Sequence, residues 1–474
     1  MQNIQLSRRE MLRWLSMSSA AIVVAACAPP PAPSSGAGAQ AAPTKAAKVE
    51  SQTPGFQVSP PEFNKNAKTV LVFLNAGTSQ VESMHQNRWV DQWNKANADV
   101  QIDLQYVAWA DLPIKQQAYL SAGTPPDLTW YCGATARELY QKGWTEPLDD
   151  HLSQAKGRYV DELYKSGSPS MSPDNQHWLG APFCMYGEGM VVRKDVFAKA
   201  GVEDLSALKT WDGWRDAVKK VHKPPEMYGY QYPQHPDMLT YTASRYFNSN
   251  GLAHLADFRD DKKDAYIEAL EFIKSMLEFS HPAAKAWRHG DEIAAWTAGN
   301  IASMGTGSYF FGDIIPTAPK IATRENMAAM AFPHGSRLKN NMTPIGFCGY
   351  AMFKDSQHKP EAAKFLDFYA SCDADNEFPM NMSPCKNVDI DYRVNAYKMY
   401  SPEHYSQVRW WFEDWAKIME TADKVYAEGY IPSQEIDKVW ADNFPSWAYE
   451  GTSTKDAYET LKAQITPILK NPPT

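Results

Sequence analysis

Trp130 and Tyr131 stand side by side near the end of LSAGTPPDLTWYC (residues 120–132), where a run that reads as a strand gives way to a loop. Flat aromatic faces stack on a ligand, and a tyrosine hydroxyl hydrogen-bonds at the same time. The chain is rich in such groups. Aromatics make up 12% of its 474 residues, with 16 Trp and 24 Tyr, which is more than packing alone demands. Asn75 closes an earlier strand-like run, and its amide both donates and accepts. Rings and amides at strand ends are the tools of a binding site.

Catalytic signatures are missing: there is no H-E-x-x-H, G-x-S-x-G, G-x-x-x-x-G-K-S/T or C-x-x-C. Acid pairs such as Asp149 and Asp150 are too common to indicate a glycosidase. In SCDADNE (371–377) the acids are close, but Phe378 and Pro379 follow where a calcium loop needs Gly, so the tract reads as a solvated turn. Nothing calls for a cofactor or a metal. The formal charge of −8, without basic blocks, argues against nucleic acid. Besides Cys27 there are cysteines at 132, 184, 348, 372 and 385; an odd number spread so widely does not read as a disulfide framework, and at least one thiol must stay unpaired.

The elements that must position these groups alternate from Thr69 onward. TVLVFLN (69–75) is a continuous apolar run typical of a buried parallel strand, and a helix with Val81, Met84, Trp89 and Trp93 on one side follows. VQIDLQYV (100–107) alternates at period two, a second helix runs into Gly123, DLTWY is a third strand, and the segment from Ala134 ends at Gly143, a C′ glycine. Strand and helix alternating in this way predict an α/β layer with ligands outside the carboxyl ends of the strands. By that rule at least one ring of Trp130 and Tyr131 is aimed at a crevice. Residues 260–282 read as a long helix with Tyr266, Leu270, Ile273 and Leu277 in the core. In the late helix around VRWWFEDW (408–415), Trp411, Trp415, Ile418, Ala422 and Val425 share a core face, which leaves Trp410 facing elsewhere, toward a cleft.

The N-terminus carries Arg8, Arg9 and Arg13, then an apolar run from Trp14 to Ala26 ending V-A-A-C at Cys27. Thirteen residues are too short to span a bilayer, and charge, apolar core, then small residues is the order of an export signal, here 1–26. Arg8-Arg9 resembles a twin-arginine signal and V-A-A-C a lipobox, which would make Cys27 a lipidated anchor holding the protein at a membrane surface. Without 1–26 the charge balance is −10, since three Arg and Glu10 are lost. Residues 27–66, with eight prolines, read as a tether, so the folded body is expected to start near Lys68.

Four patches together resemble one family. They are LSAGTPPDL with KGWTEPLDD (142–150); HWLGAPF, RKDVFAKAG and TWDGW between 177 and 214; TAGNIASMGTGSYF (297–310); and PIGFCGYAMFKDSQHKPEAAKFLDF (344–368). In this order, after a lipoprotein-like signal, they are similar to the extracellular solute-binding proteins of bacterial ABC importers, the class with maltose- and oligosaccharide-binding members. Tyr309 stands where that pattern has Trp, and Val192-Arg193 where it has Tyr-Asn. The resemblance implies a periplasmic-binding-protein-like α/β fold with two lobes, 67–180 with 345–382 and 183–342 with 386–474, joined by hinge crossings around a cleft. It puts Tyr186 and Glu188 on the crossover and makes Tyr309 a stacking platform, with Phe347 beside Gly346 a further candidate.

A carbohydrate needs flat apolar surfaces and hydrogen-bond groups, so the expected ligand-binding set is Asn75, Trp130, Tyr131, Tyr186, Glu188, Tyr309, Phe347 and Trp410. The implied protein is a monomeric, non-enzymatic, extracytoplasmic binder that delivers its solute to a membrane permease. Two alternatives stand beside it: a binder of a polyamine, peptide or ferric ion, and a lipid-anchored glycoside hydrolase.

Overall fold

The structure, a computed structural model, describes residues 49–50, 57–77, 79–108, 111–288, 290–378, 380–426 and 434–470. The expected signal segment, Cys27 and most of the expected tether lie outside the described residues. From Gln57 onward the chain is already tied to the body. Val58 is buried, the side chains of Asn87 and Asn94 donate to the Ser59 and Glu62 carbonyls, and the Asn64 N–H donates to Gln101. Fixed contacts therefore begin ahead of Lys68, because asparagines of the following helix take up carbonyls of the Pro-rich segment.

The first half follows the expected alternation. β1 (Thr69–Gly77) leads to α1 (Gln80–Ala96), whose first turn is capped by the Ser79 hydroxyl accepting from the Glu82 N–H. The buried stripe of α1 is Val81, His85, Trp89 and Trp93, whereas Met84 is 36% exposed. Position 85, not 84, continues the i, i+4 row from Val81. β2 (Val100–Ala108) pairs parallel with β1, α2 (Leu112–Ser121) ends before Gly123 at φ +67°, and β3 (Leu128–Cys132) pairs parallel with β1 on its other side. α3 (Thr135–Gln141) closes the unit, with Gly143 in the left-handed region as its C′ residue.

Two long strands then span the molecule. β4 (Ala181–Arg193) is buried over all but its last residue. After α4 (Trp211–Val221), α5 (Pro236–Asn248) and α6 (Lys263–Leu277) come β5 (Ser303–Gly307), α7 (Phe310–Thr317), β6 (Met327–Ala331) and β7 (Met342–Phe353). The chain continues through α8 (Lys359–Tyr369), α9 (Val408–Thr421), β8 (Asp423–Tyr426) and α10 (Gln434–Tyr449). The sheet order is β2-β1-β3-β7-β4-β5, with β8 pairing β7 and β6 pairing β4; β7 is antiparallel to both β3 and β4.

The buried apolar residues fall into separate cores. One takes Leu71 to Tyr186 of the early chain and Phe347 to Cys385; a second takes Met190 to Phe279, Ala302, Phe332 and Ile436 to Ile465; a third joins Val191 to Trp296–Met327 and Val394–Ile418. β4 thus leaves the first core after Tyr186 and enters the others at Met190.

Three expectations are corrected here. Val425 does not continue the Trp411–Trp415–Ile418 face, since the helix ends at Ala422 and the chain turns into β8 along β7. SCDADNE is no solvated turn: Ser371 caps a short helix, Cys372–Glu377, and Asp375 is buried. Among the described residues four cysteines pair, Cys132 with Cys348 and Cys372 with Cys385, while Cys184 is a free buried thiol. The first bond joins residues 216 apart, a pairing that only the sheet register brings about.

Candidate functional site

Where β4 passes from the first core toward the other two, it carries Tyr186 and Glu188, side chains two apart and so on one face. Glu188 is the register partner of Gly307 on β5, and Tyr186 that of Gly346 on β7. Both glycines make room. A Cβ at Gly346 would lie 2.1 Å from the Tyr186 hydroxyl oxygen, and one at Gly307 would lie 2.3 Å from the Tyr309 ring and 2.9 Å from a Glu188 carboxylate oxygen. The two tyrosine rings are laid across glycine backbone that any other residue would fill.

α5 completes the group. Its buried side holds Leu239, Ala243, Tyr246 and Phe247 in the second core, and this turns Tyr241 and Arg245, one helical turn apart, toward Glu188. Arg245 Nε donates to Glu188 Oε2 at 2.7 Å and its Nη1 to the Gly305 carbonyl at 3.1 Å; Glu188 and Arg245 are 1% and 3% exposed. The Tyr241 hydroxyl donates to the other Glu188 oxygen and lies 3.2 Å from the Tyr309 hydroxyl. The guanidinium also sits over the Tyr241 ring at 4.5 Å. Burial by itself would lower the Arg245 pKa; the Glu188 charge reverses that and holds it well above the usual value. Burial raises the Tyr241 hydroxyl, and the Glu188 charge raises it further, so it stays a donor. The result is a buried, internally neutral pair topped by two half-buried tyrosines.

The remaining candidates are elsewhere. Trp130 packs into the first core and Tyr131 into a small cluster with Ala136, Leu179 and Ala351; both are buried. Neighbouring residues of a strand point to opposite faces, and β3 is covered on both, so the pair is assigned to packing rather than to a crevice. The Tyr131 hydroxyl bonds the Gly180 carbonyl at 3.1 Å and Ser170 at 3.3 Å. Phe347 is fully buried in the first core, and Trp410 is 6% exposed against Phe311 and Trp411 in the third. Trp410 leaves the Trp411 face only to be covered by α7, which the sequence pattern of its own helix does not reveal. Asn75, also fully buried, sits with Gln86 and Glu82 at the start of α1: Gln86 Nε2 lies 3.5 Å from Asn75 Oδ1 and 3.0 Å from Glu82 Oε1. The Asn75 Nδ2 and Gln86 Oε1 atoms are buried without a hydrogen-bond partner.

Sequence reasoning placed Tyr186, Glu188 and Tyr309 together and missed Tyr241 and Arg245. The one signal for these two was their spacing of four in YTASR (241–245), which puts both on one face of a helix.

The family described as bacterial extracellular solute-binding protein matches residues 86–375, more than half the chain. The chain belongs to that family. Its members are binding proteins, not enzymes, so the hydrolase alternative falls. Among relatives, a binding protein of Brucella abortus (strain 2308) is 26% identical over 372 residues, covering 73% of this chain and 84% of its own. The fold is that of solved periplasmic-type solute-binding proteins. The protein from Thermotoga lettingae TMO, solved with alpha-D-tagatose, aligns over 85% of this chain and 100% of its own with a TM-score of 0.68 at 18% identity. A Listeria monocytogenes protein in complex with cycloalternan aligns over 85% and 99% with 0.66 at 18% identity, and a maltose-bound T. maritima protein over 85% and 100% with 0.66 at 14% identity. This solute-binding protein therefore has the expected α/β architecture, and its tyrosine-topped ion pair lies where β4 passes from one core to the next.

Proposed function

We propose that this solute-binding protein captures a neutral carbohydrate, an oligosaccharide in the first instance, between two lobes and delivers it to an ABC importer permease. The lobes are residues 67–180 with 345–382 and 183–342 with 386–474, and a lipid on Cys27 holds the protein at the outer face of the membrane. The observation that carries the reading is the Glu188–Arg245 pair under Tyr241 and Tyr309. Its two charges cancel, so it offers no net charge to a polyamine or a carboxylate ligand. What it offers is ring faces and hydroxyls backed by a fixed carboxylate, which suits the C–H faces and hydroxyl rim of a sugar. Structures of this fold solved with tagatose, cycloalternan and maltose support the same class. Closure of such lobes follows only from contacts the ligand makes in the closed form and not in the open one.

A thermal-shift screen against mono-, di- and trisaccharides tests this. A sugar at 100 times its dissociation constant stabilises the folded chain by about 2.7 kcal/mol. The expected result is an upward shift with at least one sugar that disappears in Tyr309→Ala. No shift across the panel, with a shift from a polyamine or peptide, would remove the carbohydrate reading.

A further inference from the structure

Three cysteines lie in one row across three adjacent strands. Cys348 on β7 is the register partner of Cys132 on β3 and, on its other side, of Cys184 on β4. Residues paired in register project from the same face of a sheet, so the three sulfurs share one face with Cys348 in the middle. The bond runs from Cys348 to Cys132, and Cys184 is free. Directly opposed residues of antiparallel strands have Cα atoms about 4.5 to 5.5 Å apart, inside the range of roughly 4.4 to 6.8 Å that a disulfide spans. The Cys184 sulfur is held in this place by the Asn381 amide at 3.4 Å and by the Cys348 backbone. Cys184 is therefore opposed to Cys348 in register, as Cys132 is, from the opposite side.

We propose that Cys348 is a shared sulfur and that the chain exchanges its Cys132–Cys348 bond for a Cys184–Cys348 bond. The Cys184 sulfur, as thiolate, attacks Cys348 Sγ from the side opposite Cys132; the new S–S bond forms as the old one breaks, and Cys132 leaves as thiolate. Cys132 then takes up one proton in place of the one Cys184 gave up. No electrons are gained or lost, so no outside oxidant or reductant enters. Burial holds the Cys184 thiol well above its usual range, so the step quickens as pH rises.

The exchange has two structural consequences. The free thiol moves from Cys184, 1% exposed, to the half-buried Cys132. The cross-link moves from β3–β7 to β7–β4, the strands that carry Gly346 and Tyr186 one step along the same face. Asn381, which bonds both Cys184 and the Ser308 hydroxyl, links that row to the residue before Tyr309.

Cys132→Ser in the full chain tests the proposal. In that variant, exposed natively to oxidised glutathione as the two-electron oxidant, then alkylated under denaturing conditions and mapped without reduction, Cys184 and Cys348 are expected in one cross-linked peptide pair and unlabelled; both alkylated overturns the idea. The unmodified chain gives a test that does not depend on the variant folding. Held natively with iodoacetamide at mildly alkaline pH, it should accumulate label on Cys132 together with a Cys184–Cys348 peptide. Label on Cys184 alone with Cys132–Cys348 intact throughout overturns it.

Discussion

Tyr131 and Tyr309 are seated by one device and used in opposite ways. Each ring lies where the Cβ of a glycine partner would be, 2.1 Å from that position at Gly180 and 2.3 Å at Gly307. The Tyr131 hydroxyl is spent on the Gly180 carbonyl and Ser170, and the residue is fully buried. The Tyr309 hydroxyl meets Tyr241, and through it Glu188 and Arg245, while the ring stays half-buried. A ring bonded to backbone in a sealed cluster holds strands together. A ring bonded to a chain of ionisable groups and left partly open has capacity for something else.

The largest expected effect sharpens that contrast at its base. Arg245→Met leaves the Glu188 carboxylate buried without its cation, and removing one partner of a buried pair costs about 3 to 5 kcal/mol. Glu188→Gln with Arg245→Met removes both charges and should recover most of that loss in urea denaturation. Equal losses in the single and double variants would mean that the pair is packing, and the two tyrosines would no longer differ in kind.

Next come the glycines. Gly180→Ala forces a Cβ into the Tyr131 ring in a sealed cluster, which overpacks at about 1 to 3 kcal/mol. Gly307→Ala displaces a ring that can swing outward and presses the end of the Glu188 side chain, so it should weaken binding of the sugar found by thermal shift more than it lowers stability. The comparison breaks if Gly307→Ala keeps full affinity and loses as much stability as Gly180→Ala.

Much of the first half was legible because each element declares itself locally. The apolar run of β1, the period-two run of β2 and Gly143 after α3 need no distant partner to be read. One detail slipped even there: Met84 and His85 both fit a loose stripe, and only packing chose His85. Tyr186, Glu188 and Tyr309 came through the family likeness. Tyr241 and Arg245 did not, since their role exists only once α5 is laid against a strand more than 50 residues earlier, with separations of 53 and 57 to Glu188. The Cys132–Cys184–Cys348 row was hidden for the same reason, because register between distant strands is not written in either strand alone.

A smaller effect concerns pH. Asp437 in α10 accepts from the Thr240 hydroxyl at 2.7 Å, beside Tyr241. Burial, with the Glu138 charge adding to it, raises its pKa from 3.8 to about 6 against the Thr240 bond. Between those values the folded chain holds a proton that the unfolded chain has released, so this group makes stability fall as pH rises from about 4 to 6. Asp437→Asn should flatten that fall, measured as urea midpoints across the window. An unchanged slope would show that Asp437 is ionised throughout, leaving Thr240 bonded to a charge.

The smallest changes separate the two tyrosines most directly. Tyr131→Phe removes a hydroxyl whose acceptor, the Gly180 carbonyl, stays buried, at about 1 kcal/mol of stability with affinity intact. Tyr309→Phe leaves Tyr241 still donating to Glu188, so stability should change by less than about 0.5 kcal/mol. If the Tyr309 hydroxyl bonds the sugar, its loss should weaken binding by roughly tenfold, the equivalent of about 1.4 kcal/mol. The measurement is a pair of titrations and a pair of melts. Crossed results, with Tyr131→Phe losing affinity and Tyr309→Phe losing stability, would reverse the roles that burial and hydroxyl partners assign, and would move the site from the Glu188 cluster to the end of β3.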